Sequence, residues 1–204
     1  MSSPDLPDWL HQLARHLADP PAAPAAPAGR AAAVLLLFGD GPDLLLIERS
    51  RQLRAHPGQP ALPGGAIEPQ DDGPVVAALR EAAEEVGVES DRVRILGTLP
   101  PRRISVSGYA VTPVIGYWPE PNPVRVVDPA EVAAVRRVPL AEFLDPKRRY
   151  QARHPAGGSG PAFSLDGLLV WGFTAWLIDR VLALAGWAEP LTAQTSAGFL
   201  SVGS

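Results

Sequence analysis

Glu81, Glu84 and Glu85 stand at i, i+3 and i+4 in the segment from Pro74 to Val86, so a helix there puts three carboxylates on one face. Like charges that close repel. They also occupy the second half of the helix, the end where the macrodipole disfavours negative charge. Stability alone would rarely select that arrangement. A site for a hard divalent cation would, because such an ion takes oxygen ligands and offsets the repulsion. The plainer alternative is a solvated helix face on which Arg80 pairs with Glu84 at i, i+4. The pair Gly64-Gly65 lies upstream, where it lets the backbone turn tightly toward the helix.

The remaining elements must position that helix. Pro74 suits its first turn, Gly87 can end it in a left-handed conformation, and Val76, Leu79, Ala83 and Val86 supply its core stripe. Asp71 and Asp72 are placed to cap its start, Asp72 more so. The apolar runs 31–38 and 43–50 read as two strands joined by the turn Gly-Asp-Gly-Pro. Further strands are expected at Val93–Leu99, Tyr109–Trp118, Ala134–Val138 and Phe163–Leu165. Helices are expected at 140–144 and across Leu168–Leu184, where Trp171 and Trp176 read as core. Mixed strands and helices of this kind predict an α/β fold, an α/β/α sandwich around a mixed sheet.

Outside that domain, residues 5–18 read as an amphipathic helix through Leu6, Trp9, Leu10, Leu13 and Leu17. The Pro/Ala stretch 20–30 reads as a linker. The division expected is 1–29 helix and linker, 30–188 domain, and 189–204 a loosely ordered tail. The chain has 204 residues, 46% hydrophobic, with a net charge of −4, which gives no sign of a bulk nucleic-acid binder. It has no cysteine, which excludes disulfides, thiolate metal sites and cysteine nucleophiles. No secretory signal is visible, and Asp179 and Arg180 interrupt the one membrane-like run. A cytoplasmic protein without membrane attachment is expected.

The stretch from Gly65 to Val88 resembles a Nudix box: Gly, five residues, Glu, seven residues, then Arg-Glu-U-x-Glu-Glu-x-Gly-U, where U is aliphatic. Gly65 opens it and Arg80 to Val88 closes it. Asp71 stands where the first Glu is expected, eight residues rather than seven separate it from Arg80, and Ala82 is small for its place. A box with Asp and one extra residue resembles the coenzyme A diphosphatase branch of the Nudix hydrolases. That branch also carries a signature ahead of the box, roughly L-L-x-x-R-S-x-x-L-R-x-H-x-G-x-x-x-F-P-G-G. Residues 45–65 match it, with Leu62 in place of the Phe. The resemblance covers about residues 30 to 188.

The resemblance implies a Nudix-type fold and metal-dependent cleavage of a diphosphate, with Mg²⁺ or Mn²⁺ as cofactor. The substrate implied is a small molecule, coenzyme A or another nucleoside diphosphate derivative. Glu81 and Glu85 are implied as metal ligands, with the Gly65 carbonyl assisting. Glu84 is either a third ligand or the base that activates water. Arg80 is implied to orient Glu81 or brace the loop. Arg49, Arg54 and His56, with Gly64, are implied on the substrate side, and the alternative for Arg49 and Arg54 is ion pairing with the box. Glu68 could reach the metal through water. His154 reads first as part of a turn. Among later glutamates, Glu131 is a better candidate for a catalytic role than Glu120 or Glu142, and an ordinary surface role is the default for each. A homodimer is open, with the N-terminal helix as one means. A non-catalytic binding module is disfavoured, because all three box glutamates are retained.

Overall fold

The computed structural model describes residues 6–19, 27–53, 56–104, 107–153 and 158–202. A single 3-10 turn at Asp8–Leu10 leads into α1 (His11–Ala18). Leu10, Leu13 and Leu17, at the expected helical spacing, are buried. Trp9 packs edge-on against Phe38 and Tyr117, and its carbonyl accepts a hydrogen bond from Trp187 Nε1 at 3.0 Å. The first helix is thus docked on the domain.

The main sheet is built on β1 (Arg30–Gly39). β2 (Asp43–Arg49) folds back antiparallel to it, in the two strands expected from the apolar runs. β3 (Pro60–Ala61) pairs with β2, and β4 (Gly64–Ala66) pairs with the start of β1. After α2 (Gly73–Val86) come β5 (Arg94–Thr98), β6 (Arg102–Ile104) and β7 (Tyr109–Trp118). β7 runs parallel to β1 along its whole length, while β5 and β6 pair antiparallel to β7, so the sheet is mixed. β8 (Val132–Pro139) closes the far side on β2.

Residues alternate along β1 between two cores. Ala33, Leu35 and Leu37 face α2, which meets them through fully buried Ala77, Ala78 and Ala82. The small side chain at Ala82 therefore has a reason, since alanines let the helix lie close to the sheet. Leu36 and Phe38 face the other way, toward α1 and the C-terminal half of the chain. There, α3 (Leu140–Leu144) precedes a second sheet of β9 (Arg149–Arg153), β10 (Ser159–Leu165) and β11 (Leu168–Val170), followed by α4 (Gly172–Leu184). The α/β class and mixed sheet are as expected, and the second sheet is an addition to the simple sandwich.

The apolar stripe that α2 buries is Ala77, Ala78, Ala82 and Val86, whereas Val76, expected in it, is 43% exposed. Two further expectations need correction. The helix predicted across Leu168–Leu184 begins only at Gly172. Asp166 and Gly167 form a turn, with Gly167 at φ 72, that returns Leu168–Val170 antiparallel along β10. Gly172, at φ 69, then makes the break that a side chain would resist. The second concerns the tail. Residues beyond Glu189 carry β12 (Phe199–Ser201), which pairs parallel to β9, and Leu191 and Val202 are buried. Their apolar residues are too few to show a period, but β9 offers them a strand edge. Among the described residues, no helix is long and apolar enough to cross a membrane.

Candidate active site

Gly64 and Gly65 bring the β4 backbone against α2. A Cβ on Gly64 would fall 2.3 Å from the Ala33 carbonyl oxygen, and one on Gly65 would fall 2.3 Å from Glu81 Oε1. At Gly64 the obstacle is backbone and only glycine fits, whereas at Gly65 the tip of the Glu81 side chain would have to move. The Gly64 amide donates to Glu85 Oε2 at 3.0 Å, which ties loop to helix. The other oxygen, Glu85 Oε1, is buried with no hydrogen-bond partner, and the residue is only 3% exposed. Burial pushes the Glu85 carboxyl up to about 8, with Glu81 and Glu131 adding repulsion, while the Gly64 amide and Arg49 act in the opposite direction. Burial also raises Glu81, and Arg80 partly offsets that.

Arg80 uses its whole guanidinium. Nε and Nη2 grip the two Asp71 oxygens at 3.0 Å each, and Nη2 also reaches the Ala66 carbonyl at 3.2 Å. Nη1 donates to Glu81 at 3.2 Å and to Glu84 at 2.9 Å. Asp71 additionally accepts the Glu68 amide at 2.8 Å. Arg80 holds the Asp71 carboxyl below its ordinary range, with the Glu68 amide adding to this.

Asp71 is therefore the partner of Arg80 rather than a helix cap. Asp72 holds the N-cap position but makes no side-chain cap bond. Separated from Asp71 by eight residues, Arg80 lies on α2, where its guanidinium meets that carboxylate across the helix start. The unusual spacing was visible in the sequence, and its purpose was not. Glu68 accepts a hydrogen bond from Gln70 within the same loop.

The pair offered by the plainer reading, Arg80 with Glu84, is formed, and the Glu84 side chain is 60% exposed. Among the described residues, no three acidic or histidine side chains converge closely enough to hold an ion. Arg80 Nη1 bonds both Glu81 and Glu84, while Glu85 turns to the Gly64 amide. The residues present nonetheless fit a hard cation. Glu85 keeps a buried oxygen without a partner, and the Glu81 carboxylate lies where a side chain on Gly65 would have been.

Arg49 ends β2 at a register shift. Its amide donates to Gln59 O at 3.0 Å, and its carbonyl accepts from Gly58 at 3.1 Å, closing the basic loop at its base. Its Nε is buried without a partner, and none of the ion pairs among the described residues uses Arg49. His56, at φ 55, hydrogen-bonds Gln59 Oε1 at 3.0 Å inside the loop. Arg54 and His154 lie outside the described residues. Glu120 is near Arg92 and Glu142 pairs with Arg148. Glu131 raises both Glu81 and Glu85 through its charge, and its carbonyl accepts from the Ser50 amide at 2.7 Å. It is the later glutamate that the fold brings toward the box.

The model of the NUDIX domain family matches residues 27–156, and the chain belongs to that family. A relative from Escherichia coli (strain K12), described as the uncharacterized Nudix hydrolase NudL, is 43% identical over 152 residues, 73% of this chain and 78% of the relative. The crystal structure of RenU, a Nudix hydrolase from M. Smegmatis, is similar with a TM-score of 0.54 at 20% identity, covering 80% of this chain and 89% of that one. DR0079 from Deinococcus radiodurans is similar with a TM-score of 0.52 at 17% identity, covering 79% and 89%. At such identities the two structures speak to the fold. As a Nudix hydrolase, the chain is an enzyme that cuts the diphosphate of a nucleoside diphosphate derivative.

The Arg80 fork makes a direct prediction. Arg80→Lys keeps the charge but cannot grip Asp71, Ala66, Glu81 and Glu84 together. We expect kcat/KM to fall roughly 10- to 100-fold, the range for partners that orient metal ligands. Turnover near the parent value would remove Arg80 from the working site.

Proposed function

We propose that the chain hydrolyses the diphosphate of coenzyme A or an acyl-CoA, releasing 3′,5′-ADP and 4′-phosphopantetheine or its acyl form. The observation that supports this most is the position of Arg49, inside the signature Leu45–Gly65. Its charge acts on Glu85, while its buried Nε has no partner. A guanidinium donor left open beside the carboxylates suits a phosphate oxygen, which accepts from Arg in paired hydrogen bonds.

Glu81 and Glu85, with the Gly65 carbonyl, would hold Mg²⁺ or Mn²⁺. When bound, such an ion activates water and neutralises phosphate charge. Arg80 orients Glu81 and fastens the loop through Asp71. Gly64 holds Glu85 through its amide and lets the substrate come close to the backbone. Glu84 serves as a further ligand or as the base, and Glu131 is the second candidate for the base. Arg49, Arg54 and His56 receive the substrate phosphates.

The same box serves other nucleoside diphosphate derivatives, and fold alone does not separate them. A panel of coenzyme A, acetyl-CoA, ADP-ribose and a dinucleoside polyphosphate, with Mg²⁺ or Mn²⁺ and product identification, decides between them. We expect coenzyme A to yield 3′,5′-ADP. Efficient turnover of ADP-ribose with none of coenzyme A at matched concentration would show the substrate to be wrong.

A further inference from the structure

The last carbonyls of α2 have no partner inside the helix. A segment between β7 and β8 takes them up. The Glu85 carbonyl accepts from the Val127 amide at 2.9 Å and from the Asp128 amide at 3.4 Å, and the Val86 carbonyl accepts from Arg125 at 3.2 Å. Asn122 continues the row. Its Nδ2 donates to the Gly87 carbonyl at 2.9 Å, and its Oδ1 accepts the Glu89 amide at 3.1 Å. The backbone of Glu85, whose carboxylate is the buried one, is thus bonded directly to Val127 and Asp128.

Asp128 then turns the chain. Asp at the first place and Pro129 at the second suit a type I turn. The Asp128 carbonyl accepts from Glu131 at 3.3 Å and from Val132 at 2.9 Å, and its Oδ1 accepts the Ala130 amide at 2.8 Å. The turn delivers Glu131, whose carbonyl is held from the other side by the Ser50 amide at 2.7 Å. Glu48 stands opposite Ala134 but Arg49 opposite Val132, so Ala133 is the extra residue of a β-bulge. Such bulges re-aim side chains and are common beside active sites. Here the bulge sets Val132 into the core beneath α2, directly after Glu131.

Both ends of this strap pass through one residue. The Asp128 amide is on Glu85, while its carbonyl and carboxylate hold the turn that ends at Glu131. The Glu131 charge is felt at both Glu81 and Glu85.

We propose that Asp128 is a positioning residue for hydrolysis, which fixes Glu131 against the box carboxylates through one short turn anchored on the Glu85 backbone. Misplacing a working group by about 1 Å can cost on the order of a hundredfold in rate, so a rigid turn at this place has a large effect to exert. The inference rests on the reading of Glu81 and Glu85 as the cleavage site with Glu131 as a working carboxylate, not on coenzyme A as the substrate.

The test is steady-state kinetics of the full-length protein on whichever substrate of the panel it turns over best. Asp128→Ala should lower kcat about tenfold, the lower range for residues that orient working side chains. KM should change by less than about twofold, because the residues that receive the phosphates are untouched. Asp128→Asn keeps an acceptor for the Ala130 amide and should restore kcat. Glu131→Gln should lower kcat at least as far as Asp128→Ala. Adding Asp128→Ala to it should cost less than about a further twofold, since residues that act as one unit are not additive. A purely structural role would instead multiply the two losses. Undiminished kcat in Asp128→Ala or in Glu131→Gln, no rescue by Asn, or multiplied losses in the double variant would each overturn the assignment. Turnover of ADP-ribose in place of coenzyme A would change the substrate and leave this test as it stands.

Discussion

Glu85→Gln is expected to remove diphosphate hydrolysis and, in the metal-free protein, to raise stability at alkaline pH. Both effects come from one buried carboxyl. The folded protein holds the Glu85 proton up to about pH 8, against an ordinary value of 4.5. Between those values the unfolded chain has released a proton that the folded chain keeps. Stability without metal therefore falls as pH rises through that window, by several kcal/mol in all once Glu85 is ionised. Gln has no charge to bury and still accepts the Gly64 amide. Urea unfolding in EDTA should give equal stabilities at pH 4.5 and a more stable variant at pH 9. Parallel curves across the range would contradict the burial argument.

Activity should move the other way. On the proposed ligand set a cation would replace the proton on Glu85, so metal binding would release a proton and strengthen as pH rises toward 8. Turnover should rise over the same range. In Glu85→Gln, a neutral amide replaces an anionic ligand, and we expect kcat/KM to fall at least about a hundredfold. A variant more stable without metal yet inactive is the mark of a residue kept for chemistry.

Asp179→Ala should cost about 3–5 kcal/mol, the usual result of removing one partner of a buried ion pair. Asp179 accepts from Arg149 at 3.0 Å and twice from the Leu191 amide, at 3.1 and 3.2 Å. Arg149, 5% exposed, also donates to the Glu189 carbonyl at 2.7 Å. Next to it, Gln151 reaches the Leu191 carbonyl at 2.9 Å. These bonds pin the start of the C-terminal segment to α4 and β9. Without Asp179, a buried guanidinium and the Leu191 amide lose their acceptor. Urea unfolding should show the loss, and limited proteolysis should show earlier cleavage after Glu189. A loss below about 1 kcal/mol with an uncut tail would show that the pair contributes little.

Much of the site could be read in the residue order, because a helix converts spacing into shared position. Glu81, Glu84 and Glu85 had to share a face if Pro74 to Val86 was helical. β1, β2 and β7 were legible as long apolar runs. The hairpin at Asp166–Gly167 was misread because Leu168 to Leu184 is apolar almost throughout, and such a run does not distinguish strand from helix. Asp179 appeared as an interruption of a membrane-like run. Its acceptor role depends on Arg149 and Leu191, which lie on other elements.

The sequence alone determined the kind of chemistry: carboxylates on one helical turn, two glycines before them and a basic loop ahead of those. These features are local and follow from helix and turn geometry. Only the tertiary structure decided the partners. It gave Asp71 to Arg80, left Glu85 with a buried open oxygen and brought Glu131 toward the box through the turn at Asp128. Burial and pairing depend on which distant segments meet, and that is set by packing of the whole sheet rather than by spacing along the chain.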